Sequence, residues 1–237
     1  LFSNGELVNL VKSIAIIPAF NEEVAIGSVI LRTLQYIDDV LVIDDGSEDK
    51  TKQTALLAGA HVLTHPVNYG KGIALKSGFD YVSDLSYDVI ITIDADGQHN
   101  PDEIPELIKP VIEDGVDLVN GSRYLNGHEE NTPAYRRVGQ QVLDHATNIS
   151  AGIHVTDSQS GFRAFSNKAL PCFRFNDPGF GIESEMLADA SDNGLKISEV
   201  PITVRYDVNS STKNPVTHGV GVLLKIGKDK VERTLKK

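Results

Sequence analysis

Residues 89–104 read VIITIDADGQHNPDEI. The opening VIITI is a β-branched, almost wholly apolar run, which suits a strand buried on both faces of a parallel sheet. It stops at Asp94, Ala95 and Asp96, so carboxylates fall just beyond the strand's carboxyl end, and Asn100-Pro101 then opens a helix expected over 102–112. Working outward, the same pattern recurs upstream. SIAII (13–17) ends before Pro18-Ala19-Phe20-Asn21-Glu22, and VLVI (40–43) ends before Asp44-Asp45-Gly46-Ser47. Between these runs, helical periodicity spans 23–35, with Val24, Ile26, Val29, Ile30 and Leu34 on one face, and further helices are expected over 50–58 and 72–81. The alternation βαβαβα predicts an α/β protein with crossover helices on a mostly parallel central sheet.

Downstream, a strand is expected at 117–120, a polar loop at 126–132, a helix near 135–150 and a Gly- and Phe-rich segment over 157–180. A helix over 183–192 stops at Asn193-Gly194, a common C-cap pair. A strand pair around 195–206 follows. No linker interrupts this run, so residues 1–207 read as a single catalytic domain and 208–237 as a polar loop and a basic amphipathic tail.

The 237 residues are 41% hydrophobic and 23% charged, which supports one sizeable core and excludes both disorder and a disulfide-stapled miniprotein. The formal net charge of −11 has the wrong sign for a nucleic-acid surface. The tail differs: between Lys225 and Lys237 six Lys and Arg face only Asp229 and Glu232, suggesting contact with an anionic surface such as a membrane. Cys172 is the only cysteine, so no intrachain disulfide or thiolate cluster is expected, in keeping with a reducing compartment. No run reaches 18 apolar residues and no signal-peptide pattern opens the chain. The expectation is a cytoplasmic protein, peripheral at the cytoplasmic face of a membrane.

In an open α/β sheet, ligands bind beyond the carboxyl ends of the strands. Here that rim carries Glu22, Asp44, Asp45, Asp94 and Asp96, which repel one another unless a cation or hydrogen-bond donors neutralise them. A hard divalent ion with oxygen ligands is the simplest solution. Familiar alternatives fail. DADG has its Gly at the wrong position for an EF-hand, and Gly70-Lys71-Gly72 lacks the upstream Gly and the following Ser or Thr of a P-loop. Gly219-Val220-Gly221 lacks a third Gly, and neither Ser158 nor Ser160 sits in a nucleophile elbow.

Seven ordered blocks carry a resemblance: IPAFNEE (17–23), VIDDGSEDKT (42–51), NYGKGIALKSGF (68–79), TIDADGQHNPDEI (92–104), GSRY (121–124), YRRVGQ (135–140) and SGFRAF (160–165). Together they resemble a family 2 GT-A glycosyltransferase, and within it the dolichyl-phosphate mannose synthase and polyprenyl-phosphate glycosyltransferase branch. The resemblance implies a Rossmann-like GT-A fold, a nucleotide-sugar donor, Mg²⁺ or Mn²⁺, and a lipid phosphate acceptor. It places Asp96, with Asp94 and Gln98, on a metal that also binds the donor diphosphate. Pro18, Phe20, Glu22, Ile43, Asp45 and Ala95 would line the donor pocket, with Asp44 alternatively a helix-terminal carboxylate. Arg123 and Arg137 would hold the acceptor phosphate, and Arg205 would close over the donor. Lys71 either reaches a phosphate or sits in a Gly-flanked flexible loop.

An already anionic phosphate needs cations rather than a general base, and guanidinium is its natural bidentate partner. Arg136 and Arg163 are expected in structural ion pairs, and His99 and His218 on the surface or in loops. The implied reaction is a single inverting displacement using GDP-mannose, a UDP-hexose or UDP-N-acetylglucosamine. Two other readings stand beside it: transfer to a sugar hydroxyl, with Glu183 or Glu185 as base instead of helix-terminal carboxylates, and a non-catalytic nucleotide-sugar-binding module. Residues 216–237 either lie at an anionic interface or pack on the body as a helix.

Overall fold

The computed structural model describes residues 11–125, 134–179 and 181–205, with 221–224, 226–228 and 230–231 in the C-terminal segment. Seven strands form one sheet: β1 Ser13–Ala19, β2 Asp39–Asp44, β3 His61–Thr64, β4 Val89–Thr92, β5 Leu118–Ser122, β6 Arg163–Ser166 and β7 Ile197–Pro201. The helices are α1 Ile26–Thr33, α2 Thr51–Leu57, α3 Lys71–Ser83, α4 Ile104–Asp114, α5 Ala134–Ala151 and α6 Ile182–Asp192. The sheet order is β3-β2-β1-β4-β6-β5-β7. β6 runs antiparallel to both its neighbours, and every other pairing is parallel.

The period-two alternation of strand side chains divides the core into two layers. Ala15, Ile17, Val40, Val42 and Ile91 point to the side covered by Val29 and Ile30 of α1 and by Ile104 and Leu107 of α4. Ile14, Ile16, Leu41, Ile43 and Ile90 face Leu75 and Phe79 of α3, Met186 and Leu187 of α6, and a Phe165, Phe173 and Phe175 cluster. Burial on both faces explains why the first strands read as continuous apolar runs. At Gly78 a Cβ would lie 2.4 Å from Ile16 Cγ2, so α3 packs against β1 at a distance only glycine permits.

Two strands carry no sequence expectation and two expectations are corrected. β3 shows no apolar run because it is a short edge strand whose His61 and Thr64 are exposed. β6 was hidden because Arg163 interrupts its apolar pattern. The expected strand pair near 195–206 is β7 plus an isolated antiparallel bridge between His99 and Val204. Finally, α1 starts later than expected, at Ile26: Glu22 O accepts both Ala25 N and Ile26 N, Glu23 Oε2 accepts Lys50 N, and Val24 is 94% exposed.

In the C-terminal segment, Val222 and Ile226 are buried in an apolar cluster with Leu143 of α5, and Lys230 Nζ donates to Ile149 O. Of the two readings of the tail, packing on the body describes this part of it. Among the described residues no helix is long and apolar enough to cross a membrane.

Candidate active site

β1 lies between β2 and β4, so the carboxyl ends of all three strands meet on one rim. Pro18 is in register with Ile43, Ala19 with Asp44, and Ile16 with Thr92. The loops beyond them are stitched together. Asn21 adopts the left-handed region, φ 55°, which Asn tolerates better than most residues. Its amide donates to Ser47 Oγ, its Oδ1 accepts Glu48 N, and the Glu22 amide donates to Thr51 Oγ1. Phe20 is left 40% exposed, and Ile43 and Ala95 are buried.

Asp45 is buried, and its two oxygens accept Tyr69 N at 3.0 Å and Gly70 N at 2.8 Å, with His65 Nδ1 2.7 Å away. It thereby fixes the turn that leads into α3. Asp44 accepts the Ser47 amide and so braces its own turn.

Lys71 does not lie in a flexible loop. It is the first residue of α3, and its ammonium stands 2.6 Å from Asp94 Oδ1 and 2.7 Å from Glu183 Oε1. Burial alone would lower the Lys71 pKa, but the two carboxylates outweigh it and raise it above the ordinary lysine value. Burial likewise pushes Asp94 up, yet Lys71 and His99 hold its carboxyl well below the usual range. Gly161 makes this contact possible, since a Cβ there would lie 2.7 Å from both Asp94 oxygens and 2.8 Å from Lys71 Nζ.

The other carboxylates of the rim behave oppositely. Glu22 is raised to about 7, first by burial and then by Asp96, Asp49 and Asp94. Asp96 is also raised, by burial and by the Asp94 charge, although its Oδ1 accepts the Gln98 amide at 3.0 Å. Glu22, Asp94 and Asp96 therefore share one strongly negative field, the charge state a hard divalent cation relieves. Among the described residues no three His, Cys, Asp or Glu side chains form a metal cage of their own.

His99 is corrected from surface or loop to core. It is 7% exposed, its Nε2 lies 3.6 Å from Asp94 Oδ2, and its ring is 5.2 Å from that of Phe162. Through the His99–Val204 bridge and a bond from Arg205 N to Gln98 O, the segment bearing Arg205 is clipped to the acidic loop. Arg205 itself is exposed there. Sequence reading missed this role because the partner strand lies a hundred residues away in the chain.

A second group of cations sits beyond β5. Arg123 donates from Nε and Nη2 to the two oxygens of the fully buried Asp157, both at 2.6 Å. Arg137, from α5, places its guanidinium carbon 3.7 Å from the Tyr124 ring centroid, and that of Arg123 lies 5.4 Å from the same point. Arg163 is structural, as expected, but not through a direct carboxylate contact. It donates to Asn120 Oδ1 and to the carbonyls of Glu183 and Ser158, and its complete burial lowers its pKa to about 10. The Arg136 side chain and His218 lie outside the described residues. Glu183 and Glu185 lie in the first turn of α6, where Glu185 accepts the amides of Asn176 and Asp177.

Comparison with known proteins shows the family. Residues 14–173 match the family described as glycosyl transferase family 2. A protein from Methanococcus voltae, UDP-N-acetylglucosamine–dolichyl-phosphate N-acetylglucosaminyltransferase, is 36% identical over 88% of this chain and 90% of its own length. The polyprenol monophosphomannose synthase of Mycolicibacterium smegmatis is 31% identical over 81% of this chain and 77% of its own. Glucosyl-3-phosphoglycerate synthase from Mycobacterium tuberculosis, solved with Mn²⁺, UDP and glucosyl-3-phosphoglycerate, superposes with a TM-score of 0.67 at 28% identity, covering 91% of this chain and 77% of that one. The mixed seven-stranded sheet is thus a GT-A fold, and the chain belongs to glycosyl transferase family 2.

Proposed function

We propose that this glycosyltransferase moves a sugar from a nucleotide-sugar donor to a polyprenyl phosphate at a membrane surface, with Mg²⁺ or Mn²⁺ as cofactor. The observation that carries the reading is the pairing of Arg123 and Arg137 over one ring, apart from the acidic rim. A donor diphosphate with its metal and an acceptor phosphate need two such sites of opposite charge. The names of the Methanococcus and Mycolicibacterium relatives support a lipid phosphate acceptor, and the Mn²⁺ and UDP bound by the mycobacterial synthase support a metal and a nucleotide donor.

Asp96 and Asp94 would hold the metal, with donor phosphate oxygens and Gln98 completing its shell; the ion would offset charge growing on the departing diphosphate. Glu22 borders the same field. Pro18, Phe20, Ile43, Ala95 and Arg205 would enclose the nucleotide, and Asp45 would act by shaping the 65–70 turn around it. On the acceptor side, Arg123 and Arg137 bind the phosphate dianion and aim one oxygen at the anomeric carbon. The C–O bond forms in line as the bond to the nucleoside diphosphate breaks, which inverts the anomeric centre without a covalent enzyme intermediate. No base is required. Glu183 and Glu185, the candidate bases for a hydroxyl acceptor, are committed to Lys71 and to backbone amides.

Radiolabel transfer to polyprenyl phosphate in detergent, with a panel of GDP- and UDP-sugars, tests the reading. One donor should label the lipid, chelation or Asp96→Ala should abolish labelling, and Arg137→Ala should sharply reduce it. Metal-dependent donor hydrolysis without labelled lipid would overturn the acceptor assignment.

A further inference from the structure

Tyr124 follows Arg123 in the chain, its amide donates to Ser122 Oγ at 3.1 Å, and its side chain is 6% exposed. Two guanidinium groups from different elements converge on its ring. Arg137 is in van der Waals contact with the face at 3.7 Å, and Arg123 lies within the range of a cation–π interaction at 5.4 Å. Like charges brought this close repel. What opposes the repulsion is in place: Asp157 grips Arg123, Asp144 Oδ2 stands 4.0 Å from Arg137 Nη1, and the ring's negative quadrupole attracts both cations.

We propose that Tyr124 is a positioning residue for the acceptor. Its ring fixes the separation and tilt of the Arg123 and Arg137 guanidiniums so that together they take a phosphate monoester. This rests on the acceptor reading given above. A phosphate has several oxygens, and two guanidiniums already set in place, Arg123 by its bidentate contact with Asp157 and Arg137 against the Tyr124 ring, engage it with less ordering on binding than two independent arginines would need. The shared ligand chemistry is the monoester, whether a lipid headgroup or a free phosphate ester.

The test varies the ring's electrostatics on a common Phe scaffold: Phe, 4-fluoro-Phe and 3,4,5-trifluoro-Phe at position 124, with Arg137→Ala alongside. Acceptor KM is measured with a short prenyl phosphate, donor KM with the nucleotide sugar, and glycerol 3-phosphate serves as a competing free ester. Tyr124→Phe, which lacks the hydroxyl, sets the reference for the fluorinated series. Acceptor KM should climb with fluorination, by about fivefold to thirtyfold at the trifluoro variant, with inhibition by glycerol 3-phosphate weakening in parallel and donor KM unmoved. A flat series beside a damaged Arg137→Ala overturns the role of the ring alone. A series that changes prenyl phosphate but not glycerol 3-phosphate puts the ring against the lipid chain and also overturns it. An Arg137→Ala enzyme with unchanged acceptor KM removes the acceptor reading itself.

Discussion

Lys71 Nζ lies 2.6 Å from Asp94 Oδ1, joining the first turn of α3 to the loop beyond β4 through the gap left by Gly161. The same ammonium reaches Glu183 at the start of α6. One cation therefore ties the acidic rim to α6.

Removing that cation leaves two poorly solvated carboxylates without a counter-charge. Lys71→Met should cost about 3 kcal/mol in urea unfolding, in the range seen when one member of a buried ion pair is deleted. Lys71→Met with Glu183→Gln should recover part of the loss, giving a clear coupling energy in a double-mutant cycle. Equal losses in the single and double variants would mean that Glu183 does not share the charge.

Gly161→Ala puts a methyl 2.7 Å from both Asp94 oxygens and 2.8 Å from Lys71 Nζ. Something must shift, and the carboxylate is the movable part. kcat/KM for the donor should fall at least about tenfold, roughly 1.4 kcal/mol in transition-state terms. The overall fold should persist by circular dichroism, and near-normal turnover would sink the assignment of Asp94 to the donor site.

The acidic rim was legible because each of its members follows an apolar run within a few residues, so local pattern alone sets strand end and site together. The parallel sheet was legible for the same reason. What stayed hidden depends on long-range pairing. β6 contains a charged residue, Arg163, whose burial is tolerated only because Asn120, Ser158 and Glu183 supply acceptors. His99 resembles any loop histidine until Val204 pairs with it and Phe162 packs on it. Lys71 in a Gly-Lys-Gly context looks mobile until α6 brings Glu183 to it.

Asp157 is a fully buried carboxylate whose burial pushes its pKa up, but bidentate Arg123 more than compensates and leaves it below the ordinary aspartate value. A carboxyl with a depressed native pKa contributes stability above its unfolded pKa and loses it as pH falls through the native value. Asp157→Asn should therefore be destabilising by about 3 kcal/mol at pH 7. The gap to wild type should narrow below about pH 4, which thermal unfolding across pH 3–8 would record. A pH-independent difference would show that packing, not charge, is what Asn fails to replace.

Asp144 has the opposite sign although it too lies near an arginine. Its pKa is raised to about 6, first by burial, with Asp157 adding to the effect while the Ser158 amide and Arg123 only partly offset it. A carboxyl raised in the native state favours folding where it is protonated and opposes it where it must ionise. The penalty is absent below the unfolded value of 3.8 and complete above about 6. Asn keeps an oxygen to accept the Ser158 amide, which now reaches Asp144 Oδ1 at 2.7 Å, and carries no charge. Asp144→Asn should thus be stabilising at pH 8 by up to about 3 kcal/mol, each pKa unit being worth about 1.4 kcal/mol. Loss of the Arg137 attraction at 4.0 Å trims that gain. The advantage should shrink between pH 6 and pH 4 and vanish below, the reverse of the Asp157→Asn profile. If Asp144→Asn is instead destabilising at pH 8, the ionised carboxylate gains more from Arg137 than its burial costs, and its charge serves to hold that arginine over Tyr124.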